Sequence, residues 1–355
     1  MSPRPPSASP QRVTLKSLAE QLNLSRTTIS IVLNDAPQAR TISPLTRDRI
    51  LKAAAALQYR PNFLARSLHQ GRSYLIGVIS PDFSEGYTAG VLGGIERHLI
   101  DTNYRFFTAS HYWSQERAQQ NVQLFAERDV EGIIFINTPY AYSHSLPTVH
   151  IGHMHRTVPG SSIRVDNRLG IFYGLQHLVA LGHRNIAFIR GHKGSADSDD
   201  RWNAIRAVAK DLSLTVRSRL VVQLERLDRL ALSALEEGAY CAEQLFAQRG
   251  RFTALMCFND MSAIGAINRF REAGWAVPGE VSVIGFDDVM ESRISYPALT
   301  TIRQPLREMG EAAAKVLVDE ITQSSGRRTV VFNPTLVTRQ STSSPQPPKD
   351  APGSQ

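Results

Sequence analysis

The sequence predicts an N-terminal three-helix helix-turn-helix domain with a hinge helix, followed by two α/β doubly wound subdomains. Three observations predict it. Thr14 to Asn34 reads as two short helices around a tight turn, residues from Ser73 onward alternate short apolar runs with helical periods, and the positive charge of the 355-residue chain is concentrated at its front.

Leu15, Leu18, Ala19 and Leu22 fall at i, i+3, i+4 and i+7, one face of a helix. Asn23 follows where a residue tolerant of the left-handed conformation is wanted. Ser25 then precedes a second periodic run, as an N-cap should, and Ile29, Val32 and Leu33 form its apolar face. In this layout the second helix enters a DNA major groove. Arg26, Thr27, Ser30 and Ile31 point away from the apolar side. Arg26 suits a bidentate contact to guanine, Thr27 several base edges, and Ile31 a thymine methyl group. Thr14, Ser25, Ser30 and Asn34 are short donors suited to phosphate oxygens.

The net charge of +8 is unevenly placed. Ten bases against three acids up to residue 70 give +7, so the remaining 285 residues carry only +1. A basic head on a near-neutral body is the electrostatic footprint of a nucleic-acid-binding module. No apolar run reaches the ~18 residues of a membrane helix, and the front of the chain lacks the apolar segment of a secretory signal. Cys241 and Cys257 are the only cysteines, which suits a reducing, cytoplasmic setting rather than a disulfide or zinc framework.

In chain order, residues 1–12 have the Pro- and Ser-rich composition of a disordered arm. The helix-turn-helix domain spans 13–61. Its third helix is TRDRILKAAAALQ, capped by Thr46 or Ser43, with Ile50, Leu51, Ala54 and Leu57 facing inward. A hinge segment follows at 62–71: Pro61 breaks the preceding helix, Asn62 caps a short one and Gly71 ends it. Leu68 suits an apolar wedge at a minor-groove step. The body, 72–340, contains strands such as YLIGVIS, GIIFI, NIAFIRG, TALMCF and VSVIGF between helices, and TVVFNPTLVTR closes it as a strand. One subdomain is expected at about 72–166 and 304–328, the other at about 167–303 and 329–340. In such sheets a ligand sits in the crevice at the strand C-termini. Residues 341–355 read as a polar, disordered tail without a heptad pattern.

The combination of VTLKSLAEQLNLSRTTISIVLN, YRPNFLARSL, VDN, HLVALGHRNIAFI, FNDMSAIGA, VSVIGFDD and PALTTIRQP resembles the lactose-repressor (LacI/GalR) family of transcription regulators, over roughly residues 13 to 339. The resemblance implies a homodimer on a pseudo-palindromic double-stranded DNA operator, a hinge helix at 62–69 whose Asn62, Ala65 and Leu68 meet DNA, and a body like a periplasmic sugar-binding protein. A small effector, expected to be a sugar or sugar derivative, would then control operator affinity. Asp287 in GFDD resembles the carboxylate that takes ligand hydroxyls, and Arg201 the arginine that holds them. Asn137 and Asn259 match polar cleft positions, and His153 is a further ligand position. Tyr87 and Trp202 are candidates for an apolar platform, with the core as the alternative place for Trp202. Asp287 has a helix cap as its alternative role, and Arg201 a pairing with Asp199 or Asp200.

The chain departs from the family pattern in places. Ile31 stands where arginine is common, the loop after Asn34 is longer, and Ile151-Gly152-His153 replaces Val-Asp-Arg, removing a carboxylate. Without GxSxG, a P-loop or GxGxxG after a strand, the sequence does not point to an enzyme, and it calls for no cofactor. Gly90, Gly93 and Gly94 read as helix packing. A metal-responsive regulator, from His150, His153 and His155, and a ligand-binding protein without DNA function are the rival readings.

Overall fold

The structure, a computed structural model, describes residues 13–34, 37–59, 71–138, 144–154, 159–225, 233–323 and 325–346. The chain divides between Ser73 and Tyr74 into two compact units.

The front unit is built from caps and one small core. Helix α1 (Leu15–Leu22) starts in a capping box: Thr14 Oγ1 accepts from Ser17 N–H at 3.2 Å, and Thr14 N–H donates to Ser17 Oγ at 2.9 Å. Asn23 ends it at φ 53°, the left-handed turn that the sequence calls for. Helix α2 (Arg26–Leu33) is capped by Ser25, whose Oγ accepts from Thr28 N–H at 3.0 Å. Helix α3 (Pro44–Ala56) begins two residues before the expected start, because Ser43 is its cap and Pro44, lacking an N–H, fits the first turn. Leu18, Ala19, Leu22, Ile29, Val32, Ile50 and Ala54 form the core. Leu51, expected inside, is 52% exposed; the face that α3 turns inward runs through Ile50 and Ala54, with Ala53 and Leu57 partly buried against it. Ahead of α3 a 3-10 turn, Pro37–Thr41, buries Ala39. Arg49 Nη2 donates to the Leu22 carbonyl at 2.6 Å, tying α3 to an orphan acceptor at the end of α1.

The body holds two six-stranded sheets. The first runs in the order β11 (Thr329–Phe332), β5 (Ser161–Val165), β4 (Thr148–Ile151), β3 (Gly132–Ile136), β1 (Leu75–Ser80), β2 (Arg105–Ser110), and all its pairings are parallel. The second runs β12 (Thr335–Val337), β10 (Thr300–Arg303), β9 (Ser282–Asp287), β8 (Ala254–Cys257), β6 (Ile186–Arg190), β7 (Val221–Gln223), parallel except for the β10–β12 pair. β3 and β9 are buried at every residue, which explains why they read as unbroken apolar runs. Helices α4 (Gly86–Leu99), α5 (Gln115–Glu127) and α11 (Leu306–Gln323) accompany the first sheet. Helices α6 (Asn167–Ala180), α7 (Ala196–Asp211), α8 (Ala234–Gln244), α9 (Asp260–Glu272) and α10 (Met290–Ile294) lie with the second. α4 and α11 meet through Gly94: a Cβ there would stand 2.0 Å from the Arg307 carbonyl oxygen, so only glycine permits the approach. Gly93, by contrast, faces open space.

The chain crosses between sheets after β5, after β10 and between β11 and β12. The last crossing corrects the sequence reading. TVVFNPTLVTR is two strands, not one, because Asn333-Pro334 interrupts the ladder; β11 joins the first sheet rather than the second subdomain. The expected tail is also corrected in its first part. Ser341 is fully buried, its hydroxyl donating to the Val283 carbonyl at 2.6 Å and accepting from Thr300 N–H at 2.8 Å. Ser343 O accepts from Ser282 Oγ at 3.0 Å, so residues 341–346 extend the body. The remainder of the tail, the 1–12 arm and the hinge at 62–70 lie outside the described residues. Among those described, no helix is long and apolar enough to cross a membrane.

Candidate functional site

Two surfaces carry the sequence-predicted residues, one on each unit. On α2, Arg26 and Thr27 are exposed, while Ser30 and Ile31 are half-buried. The helix is held from behind by Ile29 and Val32, so the polar side is presented without cost to the core. Thr14 and Ser25 are exposed and act as N-caps, which places their hydroxyls at the positive ends of α1 and α2. Asn34 Nδ2 donates to Ser30 O at 2.9 Å and Ser30 Oγ at 3.1 Å, so these two short donors are coupled to each other. Asn62, Ala65 and Leu68 lie outside the described residues.

In the body, loops at the C-terminal ends of β1, β2, β3, β6, β8 and β9 enclose a cleft of about 1060 Å³. It brings together Tyr87, Asn137, Arg201, Asn259 and Asp287, contributed from both subdomains. Asp287 is the last residue of β9, at φ 124°, a conformation that L residues rarely adopt and that is upheld here by its surroundings. Its Oδ1 accepts from Gln304 Nε2 at 2.6 Å and lies 4.0 Å from Arg201 Nη2. The next residue, Asp288, anchors the turn by pairing with Arg303 at 2.6 Å and with Arg339. Burial pushes the Asp287 carboxyl up to about 7, against the pull of Arg201 and Gln304.

Arg201 is buried and tied to the protein through two of its three nitrogens. Its Nε donates to Asn167 Oδ1 at 3.0 Å and its Nη1 to the Phe258 carbonyl at 2.7 Å. The guanidinium lies between the rings of Phe286 and Phe258, 3.9 and 4.6 Å from their centroids. It therefore pairs with neither Asp199 nor Asp200. Asn259 caps α9, its Oδ1 accepting from Ser262 N–H at 2.9 Å. Asn137 sits at φ 44°, with its buried Oδ1 lacking any hydrogen-bond partner. Tyr87 is held above its usual range by burial and by the Asp197 and Asp287 carboxylates.

Two expected ligand residues are elsewhere. Trp202 packs on Phe188, centroids 6.1 Å apart, under the Arg190 guanidinium; its neighbours are the second subdomain's core, which competes successfully for a large aromatic. His153 is not among the cleft-lining residues either. Its Nε2 lies 3.2 Å from Val165 O and 3.5 Å from Asp200 Oδ2, at the crossing between subdomains. The other histidine of the metal reading that falls among the described residues, His150, stacks on Phe135, and burial lowers its pKa to about 4. Among the described residues no three His, Cys, Asp or Glu side chains are grouped to hold a metal ion.

The sequence reading missed Asp197, Glu237, His192, Tyr112 and Trp113. Asp197 looks like an ordinary first-turn acid of α7, and Glu237 like one of α8. His192 Nε2 and Glu237 Oε2 are 2.6 Å apart, and the Trp113 ring lies across the cleft from His192 with centroids 6.0 Å apart. Tyr112 and Trp113 both have positive φ, at 46° and 59°, and the turn is held by His111, whose Nδ1 accepts from Trp113 N–H at 2.9 Å.

A helix-turn-helix unit followed by a two-sheet cleft protein defines a class, the ligand-responsive DNA-binding regulators. Residues 14–62 match the bacterial regulatory proteins of the lacI family, and residues 175–342 match the periplasmic binding protein-like domain. The HTH-type transcriptional repressor PurR of Haemophilus influenzae is 28% identical over 316 residues, covering 87% of this chain and 91% of that protein. The HTH-type transcriptional regulator GalR of Salmonella typhimurium is 28% identical over 347 residues, covering 94% and 96%. The Lac repressor bound to ONPG superimposes with a TM-score of 0.81 at 25% identity, over 94% of this chain and 100% of that one. The chain thus carries a lacI-family DNA-binding domain followed by a periplasmic-binding-protein-like domain.

Proposed function

We propose that this chain is a cytoplasmic transcriptional repressor. As a homodimer it grips a pseudo-palindromic DNA operator, and a small effector in the body cleft, a sugar or sugar derivative, sets that grip. The observation that carries the reading is the pairing, in one chain, of an exposed Arg26–Thr27 reading edge with a cleft that converges Tyr87, Asn137, Arg201 and Asp287. The Lac repressor has been seen as a dimer on its operator and with ONPG bound, which supports both halves of the reading. A two-fold dimer reads two half-sites. Arg26, Thr27, Ser30 and Ile31 would meet base edges; Thr14, Ser25 and Asn34 would meet phosphates. Asn62, Ala65 and Leu68 enter the proposal through sequence alone, as the hinge contacts in the minor groove. An effector alters operator affinity only through its differential affinity for two arrangements of the body, and closure of one subdomain on the other is the natural pair of arrangements.

The test is selection of duplexes from a random library by the full chain. One two-fold symmetric sequence should be enriched. Arg26→Ala should lose about 1–3 kcal/mol of discrimination at a single base position per half-site and little elsewhere. A uniform loss across all sequences would make Arg26 a phosphate contact, and no enrichment at all would overturn the regulator reading.

A further inference from the structure

The hinge and the mouth of the cleft lie at opposite edges of the body. The chain crosses between sheets beside β5, β10, β11 and β12, which hold one end of the two strand orders; β2, β6 and β7 hold the other. A closure about those crossings moves the ends of β2 and β6 furthest. Two side chains meet there, one from each subdomain. Trp113 stands just after β2 and His192 just after β6, with ring centroids 6.0 Å apart and planes inclined at 45°. Both line the cleft.

Each of the two rings is held from behind. The left-handed backbone of Tyr112 and Trp113 is one that residues with a Cβ adopt only where their surroundings impose it. His111 N–H donates to Ser80 O at 3.0 Å and Tyr112 N–H to Pro81 O at 2.9 Å, which fastens this turn to the end of β1. The buried His111 ring fastens it to β3. Its Nδ1 accepts from Trp113 N–H, which in the neutral ring leaves Nε2 to donate to Thr138 Oγ1 at 3.2 Å, and that hydroxyl donates to Ile136 O at 2.9 Å. On the other side, the His192 ring is fixed by the buried Glu237 of α8, and its backbone carbonyl accepts from Ser195 N–H at 3.2 Å. The strained turn thus delivers an indole to the opposite subdomain, where a fixed imidazole receives it.

We propose that Trp113 and His192 form a clasp that holds the mouth of the cleft shut, and that a solute enters or leaves the cleft only when the two rings part. The proposal rests on the reading of the cleft as an effector site and adds what governs access to it. An aromatic pair at this spacing shifts a two-state equilibrium about two- to tenfold. That is enough to bias the body toward its closed arrangement and little enough for the cleft to open unaided.

The test is the labelling rate of a cysteine placed behind the clasp. Thr88 is buried, lines the cleft and belongs to α4, which follows β1, one strand inward from β2. Thr88→Cys puts a single reactive thiol there, because burial pushes both native thiols up, Cys241 to about 12, and keeps them inert. In the full chain, Trp113→Ala should speed its reaction with a methanethiosulfonate reagent about two- to tenfold, and Trp113→Phe should return it to within about twofold of the parent. His192→Gln, which keeps a donor for Glu237, should speed it likewise, and the double variant should react no faster than the faster single one, because both break one contact. Labelling of Cys241 and Cys257 identifies a variant that has lost its fold, and the remaining variants then decide. A rate unchanged in folded Trp113→Ala or His192→Gln overturns the clasp, as do effects that multiply in the double variant or a Trp113→Phe rate equal to that of Trp113→Ala. Duplex selection is run on the same proteins, so an unmoved rate beside an enriched operator removes the clasp and leaves the regulator standing.

Discussion

The two units solve recognition in opposite ways. In the front unit Arg26 and Thr27 are exposed, Ser30 and Ile31 are half-buried, and behind them stands a core of seven small or aliphatic side chains. In the body the central cleft residues Tyr87, Asp197, Arg201, Glu237 and Asp287 are buried, and Arg201 is already bonded to Asn167 and Phe258. The difference follows from the partner. A DNA duplex is large, brings its own charge and surrounds the readers on docking, so they can wait in water. A small solute offers few contacts, so its site must be oriented beforehand and shielded from solvent.

This contrast can be broken most directly at Arg201. Arg201→Ala removes a cation stacked on two rings and leaves Asp287 buried with Gln304 but without the neighbouring guanidinium. It should cost the body about 2–5 kcal/mol, read by denaturant unfolding, and abolish any effector response. A loss below about 1 kcal/mol would mean that the guanidinium is not structurally committed.

The counterpart in the front unit is Ile29→Ala. Ile29 is fully buried behind the reading face, and its truncation should cost that unit about 2–5 kcal/mol. DNA binding should fall with it, while the body's unfolding transition and its effector stabilisation stay in place. A shift in the body transition would show that the two units are not thermodynamically separable.

The last test sharpens the electrostatic side. The folded body holds the Asp287 proton up to about 7, whereas the unfolded chain releases it near the ordinary 3.8. Between these values the folded state binds more protons, so the contribution is full below the lower value and is lost as pH rises through the upper one. The wild-type body should therefore lose more stability than Asp287→Asn between about pH 4 and 7, with the two curves parallel above. Parallel curves throughout would place the Asp287 titration at its solvent value.

Much of the fold was legible because its signals are local. Apolar period, caps and turn residues lie within a few positions of one another, which is why Ser25, Asn23 and the runs GIIFI and VSVIGF gave elements of the right kind. Cleft residues inside recognisable segments were also found: Asn137 after β3, Asp287 after β9, Asn259 at the start of α9. Trp202 lies with the core, its alternative place, His153 lies outside the cleft lining, and Asp197, Glu237, His192 and Trp113 line it without having been singled out. In each case a side chain's surroundings come from the other subdomain or from a distant helix.

The chain's order of residues by itself determined the two-part architecture, the exposed Arg26–Thr27 edge of α2 and the basic head, because helix periodicity, capping and charge are properties of neighbours. Tertiary structure alone decided which acids and aromatics share one cavity, that Arg201 is spent internally, and that β11 and β12 part between two sheets. Those are matters of which distant groups compete for the same space, and Gly152 shows it most plainly: what fills the room beside it is a carboxylate forty-five positions along the chain.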